Sequence, residues 1–197
     1  MMLTTLRERL ARRVRRRLER PQRAAVLVPI IDDGDPVRLL LTRRTDDLPT
    51  HRGQVAFPGG FMDSGEHDPV QTALREAEEE VGLLRERVEI LGSLDDHIAR
   101  TATVAVTPIV GRIIDLPPLT PGTGEVARIF TIPLEDLANP DRWSERTERA
   151  RGRTYRVAAF DHEGETLWGL SGRITLQLLE LLGLGSPAPR APDPAEL

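Results

Sequence analysis

The sequence contains no cysteine and no lysine. The first absence excludes a disulfide scaffold, a thiolate metal site and a cysteine nucleophile, and fits a reducing compartment. The second excludes a Gly-Lys-Ser/Thr phosphate loop. Long apolar runs are missing too: none approaches the roughly 18–20 residues that a bilayer span needs. The N-terminus is rich in arginine and has no apolar segment before a small-residue cleavage site, so it does not read as a signal peptide. A cytoplasmic protein without a membrane partner is the expectation.

What is present fits one domain with appendages: 197 residues, 21.9 kDa, 39% hydrophobic and 29% charged. All 27 basic residues are arginine, and the net charge is −4. Nine arginines and two glutamates lie between Arg7 and Arg23, which puts +7 there and −11 on the remainder. An acidic body argues against a nucleic-acid groove across it and suits hard cations.

Leu3, Leu6, Leu10, Val14 and Leu18 recur at steps of three or four, which predicts an amphipathic helix over 2–20. It reads as a packing or dimerisation element, so a homodimer is among the expected partners. Ala24–Ile31 has the continuous apolar look of a buried strand, and Val37–Thr42 is a second candidate. Gln54–Phe57 reads as a short strand closed by a tight turn at Pro58-Gly59-Gly60. Further strands are expected at Val88–Leu91, His97–Val110, Val126–Ile132, Tyr155–Phe160 and Thr166–Leu170, with the last two forming a hairpin. Leu116–Gly124, with three prolines and two glycines, is loop. Arg173–Leu182 is helix, and 184–197, with four prolines, is expected to be a disordered tail. The many strands and two or three helices of 23–183 point to α+β, or to a mixed-sheet α/β sandwich.

The segment that carries chemistry is the helix opened by Asp68 as cap and Pro69 as first residue, and closed by Gly82. With Glu76 set at 0°, a rotation of about 100° per residue puts Glu80 near 40° and Glu79 near 300°. Val70, Ala73, Leu74, Ala77 and Val81 fall between about 60° and 160°, so the acidic arc adjoins the core stripe. Glu78, near 200°, points elsewhere. Such a run alone is ordinarily a solvated face. Arg75 reaches Glu79 four residues on but cannot neutralise three carboxylates. Mg2+ or Mn2+ can, since such ions take oxygen ligands and bridge carboxylates to phosphates. Gly59 and Gly60 in front of the helix let a backbone approach a phosphate or a metal closely.

Together, Gly60, Glu66 and Arg75-Glu76-Ala77-Glu78-Glu79-Glu80-Val81-Gly82-Leu83 resemble the Nudix box of the Nudix hydrolases. Eight residues separate Glu66 from Arg75 where that pattern has seven, and small Ala77 stands at an apolar position. The extra residue falls in the loop, so it bears on Glu66 and not on the helix carboxylates. Leu40–Thr45, His51–Gly60, Leu94-Asp95-Asp96, Glu125-Val126 and Trp168-Gly169-Leu170 are similar to the coenzyme A pyrophosphatase branch, with Pro49 where that signature usually has arginine. The likeness spans 23–182.

The resemblance implies a Nudix fold, an α/β/α sandwich with a mixed β-sheet between helices, and a hydrolase cleaving the pyrophosphate of coenzyme A to 3′,5′-ADP and 4′-phosphopantetheine. It implies Glu79 and Glu80 as ligands of Mg2+ or Mn2+, Glu76 as ligand or as the group orienting the water, the Gly60 carbonyl completing the site, and Arg75 orienting the glutamates. The general base stays open between Glu125 and Glu76. Arg44 and Arg52 are candidates for phosphate contacts, and His51, Gly59 and Gly60 share their signature. The alternatives are another nucleotide (ADP-ribose, NADH or an oxidised nucleoside triphosphate) and a non-catalytic domain that senses a nucleotide or binds nucleic acid through the arginine-rich helix. Intact Glu76, Glu79 and Glu80 count against the last.

Overall fold

A computed structural model describes residues 2–34, 36–48, 50–99, 102–122, 124–150 and 153–185. Pro49 and the tail from residue 186 lie outside them. In chain order the elements are α1 (Met2–Arg12), β1 (Gln22–Ile31), β2 (Arg38–Arg44), β3 (Val55–Ala56), β4 (Gly59–Phe61), α2 (Pro69–Val81), β5 (Val88–Ser93), β6 (His97–Ile98), β7 (Val104–Ile113), β8 (Val126–Pro133), α3 (Leu134–Ala138), β9 (Trp143–Ala150), β10 (Arg153–His162), β11 (Glu165–Trp168) and α4 (Gly169–Leu182).

The apolar run of β1 places it at the centre of a mixed sheet. It pairs in parallel with β7 along its whole length and antiparallel with β2 and β4. Alternation then divides the core between two faces. Val28, Ile30, Leu39 and Leu41 pack under α1 and α4, with Leu6, Ile174 and Leu178. Leu27, Ile31 and Leu40 pack under α2, with Ala73, Ala77 and Val81. The α+β sandwich with helices on both sides of a mixed sheet is the architecture read from the sequence. A second, three-stranded sheet runs β11-β10-β9.

Three local expectations differ. The N-terminal helix stops at Arg12, not at residue 20. Leu3, Leu6 and Leu10 are buried, whereas Val14 is 96% exposed. The chain beyond Arg12 is claimed by two aspartates: Asp95 accepts from the Arg16 N–H at 2.8 Å and Asp96 from the Leu18 N–H at 2.9 Å, while the Asp96 N–H donates to the Arg16 carbonyl. Those amides are thereby lost to an i→i−4 ladder. Several arginines of this stretch are also engaged within the chain: Arg7 with Glu89, Arg13 with Asp95, Arg15 with Asp96, and Arg9 with the Leu181 carbonyl near the end of α4. Second, the strand expected over His97–Val110 is a hairpin, with β6 folded back on β7. Third, Gly59-Gly60 is not a turn. It is strand β4, paired with Val26 and Ala25 of β1.

Candidate active site

The site forms where α2 lies against β4. Asp68 opens the helix with extended φ and accepts the Val70 N–H, and Gly82, at φ +71°, ends it. The proline-rich loop then docks on that end. The Thr120 N–H donates to the Val81 carbonyl at 3.2 Å and the Gly122 N–H to the Glu80 carbonyl at 3.0 Å. A Cβ on Gly122 would lie 2.0 Å from the Glu79 carbonyl oxygen, so this approach needs glycine. Three residues on, Glu125 is brought beside the helix.

Glu80 is only 6% exposed. One carboxylate oxygen accepts the Gly59 N–H at 3.1 Å, and the other stands 3.9 Å from Arg44 Nη1. Burial pushes this carboxyl up to about 7, against the Gly59 hydrogen bond and Arg44, with Glu76 and Glu125 adding repulsion. Glu76 shares the pocket: a Cβ on Gly60 would sit 2.4 Å from its Oε1. Burial raises its pKa as well, opposed by Arg75. The two glycines of β4 therefore let the backbone press against two carboxylates whose pKa burial raises.

Arg75 is the hub on the other side. It donates to Glu76 at 2.9 Å, to Glu66 and Glu79 at 3.3 Å each, and to the Phe61 carbonyl at 3.2 Å. Glu66 also accepts the Thr72 hydroxyl at 2.7 Å and the Asp63 N–H at 3.0 Å. The Arg75 hydrogen bond foremost, and these two behind it, hold the Glu66 carboxyl at about 2. Despite the extra loop residue, Glu66 reaches Arg75. Sequence reasoning left Glu66 out of the candidate site and missed Thr72 altogether. The spacing from the helix arginine obscured the first, and no local signal marked the second.

Glu79 is half-exposed and turned to Arg75, while Glu78 faces away, toward Arg85 at 3.6 Å. Arg44, at the end of β2, donates to Glu125 at 2.8 Å. His51 and Arg52 stand exposed in the β2–β3 connection, where their bonds are local: His51 Nδ1 with Gln54 at 2.8 Å, and Arg52 Nε to the Leu48 carbonyl at 2.5 Å. The structure thus gathers Glu76, Glu79, Glu80, Arg75, Glu125, Arg44, Gly59 and Gly60, and leaves His51 and Arg52 in a neighbouring loop.

The NUDIX domain family matches residues 21–151, more than half of the chain. The chain belongs to the Nudix family. Proteins named uncharacterized Nudix hydrolase NudL, from Yersinia pestis (strain Pestoides F) and Yersinia pseudotuberculosis serotype O:1b (strain IP 31758), are each 40% identical over 163 residues, covering 83% of this chain and 81% of theirs. A solved Nudix hydrolase from M. smegmatis, RenU, shares the fold, with a TM-score of 0.50 and 24% identity over 58% of this chain and 72% of its own. This Nudix protein is an enzyme, a pyrophosphatase acting on phosphoric anhydride bonds. No helix among the described residues is long and apolar enough to cross a membrane.

Nudix hydrolases generally use divalent metal ions. Among the described residues, no three carboxylate or histidine side chains are gathered closely enough to hold one. Arg75 pairs with Glu79, and Arg44 lies between Glu80 and Glu125. The donors nevertheless suit a hard cation. Magnesium is bound by one or two carboxylates and keeps several waters. Buried Glu80 and partly buried Glu76 supply oxygen donors against a backbone without Cβ atoms.

Proposed function

We propose that this Nudix enzyme hydrolyses the pyrophosphate of coenzyme A or its derivatives with Mg2+ or Mn2+, releasing 3′,5′-ADP and a 4′-phosphopantetheine compound. The observation that carries the metal site is the pairing of buried Glu80 and partly buried Glu76 with the Gly59-Gly60 strand. Glu76, Glu79, Glu80 and the Gly60 carbonyl would hold the ion, which when bound neutralises charge on the diphosphate and lowers the pKa of a bound water. Arg75 positions Glu76 and Glu79. Glu125, brought to the end of α2 by the docked loop, is the candidate base for the attacking water, with Glu76 second. Arg44 and Arg52, with His51 in the same loop, supply positive charge for phosphates, and a guanidinium binds these bidentately. What supports coenzyme A as the substrate is the signature spanning Leu40–Thr45 and His51–Gly60, together with its extra 3′-phosphate. The same reading places the enzyme in the cytoplasm, keeps nucleic acid and membrane off the list of partners, and allows a homodimer.

The test is product analysis after incubation with coenzyme A and either metal, beside a panel of ADP-ribose, NADH and oxidised nucleoside triphosphates. The two named products are expected. Turnover of ADP-ribose far faster than of coenzyme A overturns the substrate. Glu79→Gln and Glu80→Gln are expected to lower kcat by at least about 10²–10³-fold with the fold intact. Full activity in those variants overturns the site.

A further inference from the structure

Arg44 sits where β2 loses register with β8, between Arg43 and Arg44, and its N–H bonds to the Gln54 carbonyl at 3.0 Å. Its backbone is therefore anchored, and its side chain reaches in from a fixed point. One guanidinium nitrogen donates to Glu125 at 2.8 Å, and the other stands 3.9 Å from Glu80. The first contact is a good charge-assisted hydrogen bond; the second is an ion pair without one. Its Nε is buried with no hydrogen-bond partner. A buried donor left without an acceptor is destabilising. The side chain is thus held chiefly by the two carboxylates on either side of it, and not by a complete set of donors and acceptors.

We infer that Arg44 is a resident counter-ion that a divalent cation displaces, so that metal binding frees its guanidinium for a substrate phosphate. The inference rests on the metal-site reading given above and adds a competition to it. A monovalent guanidinium and a divalent ion compete for Glu80, since like charges at that range repel. The divalent ion carries the larger charge. Its arrival removes one of the two anchors of Arg44, and the unpartnered Nε adds nothing to keep the side chain in place. The consequence is thermodynamic coupling. If metal releases Arg44 toward phosphate, then phosphate capture of Arg44 strengthens metal binding by the same factor.

The experiment is a Mn2+ titration of the full chain without nucleotide, followed by electron paramagnetic resonance of the free ion. Arg44→Met removes the charge and keeps the length. It is expected to bind Mn2+ at least about fivefold more tightly than wild type, the low end of such couplings. Arg44→Lys retains a displaceable charge and is expected to stay near wild type. Arg44→Gln serves as a second neutral variant should Arg44→Met fail to fold by circular dichroism. Unchanged or weaker Mn2+ binding in a folded neutral variant, beside clear binding in wild type, overturns the displacement and leaves the metal site standing. Absence of Mn2+ binding in wild type overturns both.

Discussion

Two arginines engage the carboxylates of the acidic helix, Arg75 from within it and Arg44 from β2, and they are matched very differently. Arg75 finds a partner at each of its nitrogens, among them Glu66, Glu76, Glu79 and the Phe61 carbonyl. Arg44 makes one good hydrogen bond, one long ion pair, and leaves Nε unmet. The Arg75 hydrogen bond foremost holds Glu66 at about 2. Burial pushes Glu80 up to about 7, and Arg44 offsets that only in part. A saturated charge network fixes geometry. An unsaturated one leaves a buried carboxylate in want of a cation, which is what a metal site needs before its metal arrives.

The sharpest way to break this comparison is to remove each arginine in turn. Arg75→Met leaves Glu66, Glu76 and Glu79 without their common partner. Breaking a fully buried pair costs about 3–5 kcal/mol, and partial exposure of these groups brings the expected loss to about 2 kcal/mol. Turnover should fall as well, because Glu76 and Glu79 lose their orientation. Urea unfolding of Arg75→Met and Arg44→Met side by side checks it. An equal or larger loss in Arg44→Met would show that Arg44 is the structural clamp.

The helix that carries Arg75 was legible because its signals are local: a capping Asp68, Pro69, a terminal Gly82, and carboxylates at spacings that fix their faces. The rest of the site was less so, for reasons of distance and context. Nothing near Arg44 announces that it meets Glu125, 81 residues on. The N-terminal helix carries its apolar stripe past Arg12, but the aspartates that stop it lie about 80 residues away in the chain. Pro-Gly-Gly reads as a turn until β1 offers it a strand partner. Strand β9 escaped notice altogether, since Glu145, Arg146, Glu148 and Arg149 give it a loop-like composition. Its ladder with β10 makes it a strand, which is a tertiary effect and not a propensity.

A smaller effect separates Glu66 from Glu80 by pH. In the folded state the Glu66 carboxyl lies below its ordinary value of 4.5, at about 2. Its stabilising contribution is therefore complete above about 4.5 and lost as pH falls through about 2. Glu80 has the opposite sign. Its folded-state carboxyl lies above the ordinary 4.5, at about 7, so in the metal-free protein it favours folding at low pH and weakens it as pH rises toward 7. Carbon-13 carboxyl titration by NMR should show the two groups moving in opposite directions from 4.5. Added Mg2+ should draw Glu80 down and leave Glu66 where it is. A Glu80 titrating normally without metal would erase the contrast between the two arginines.

The smallest expected effect is the most discriminating control. Glu78 sits on the same helix, one residue from Glu79, and carries the same charge. It pairs with Arg85 at 3.6 Å, and both side chains are more than two-fifths exposed. Such a pair contributes about 0–1 kcal/mol. Its direction, near 200° from Glu76, carries it away from Gly60 and Arg75. Glu78→Gln should therefore change unfolding free energy by less than about 0.5 kcal/mol and leave kcat/KM and Mn2+ affinity at wild-type values. Steady-state kinetics and the Mn2+ titration check it. If instead Mn2+ affinity falls as far in Glu78→Gln as in Glu79→Gln, the summed charge of the helix holds the ion and the direction of each side chain does not matter. The difference between the two arginines would then have no bearing on catalysis, because a diffuse negative field is indifferent to which carboxylate each of them engages.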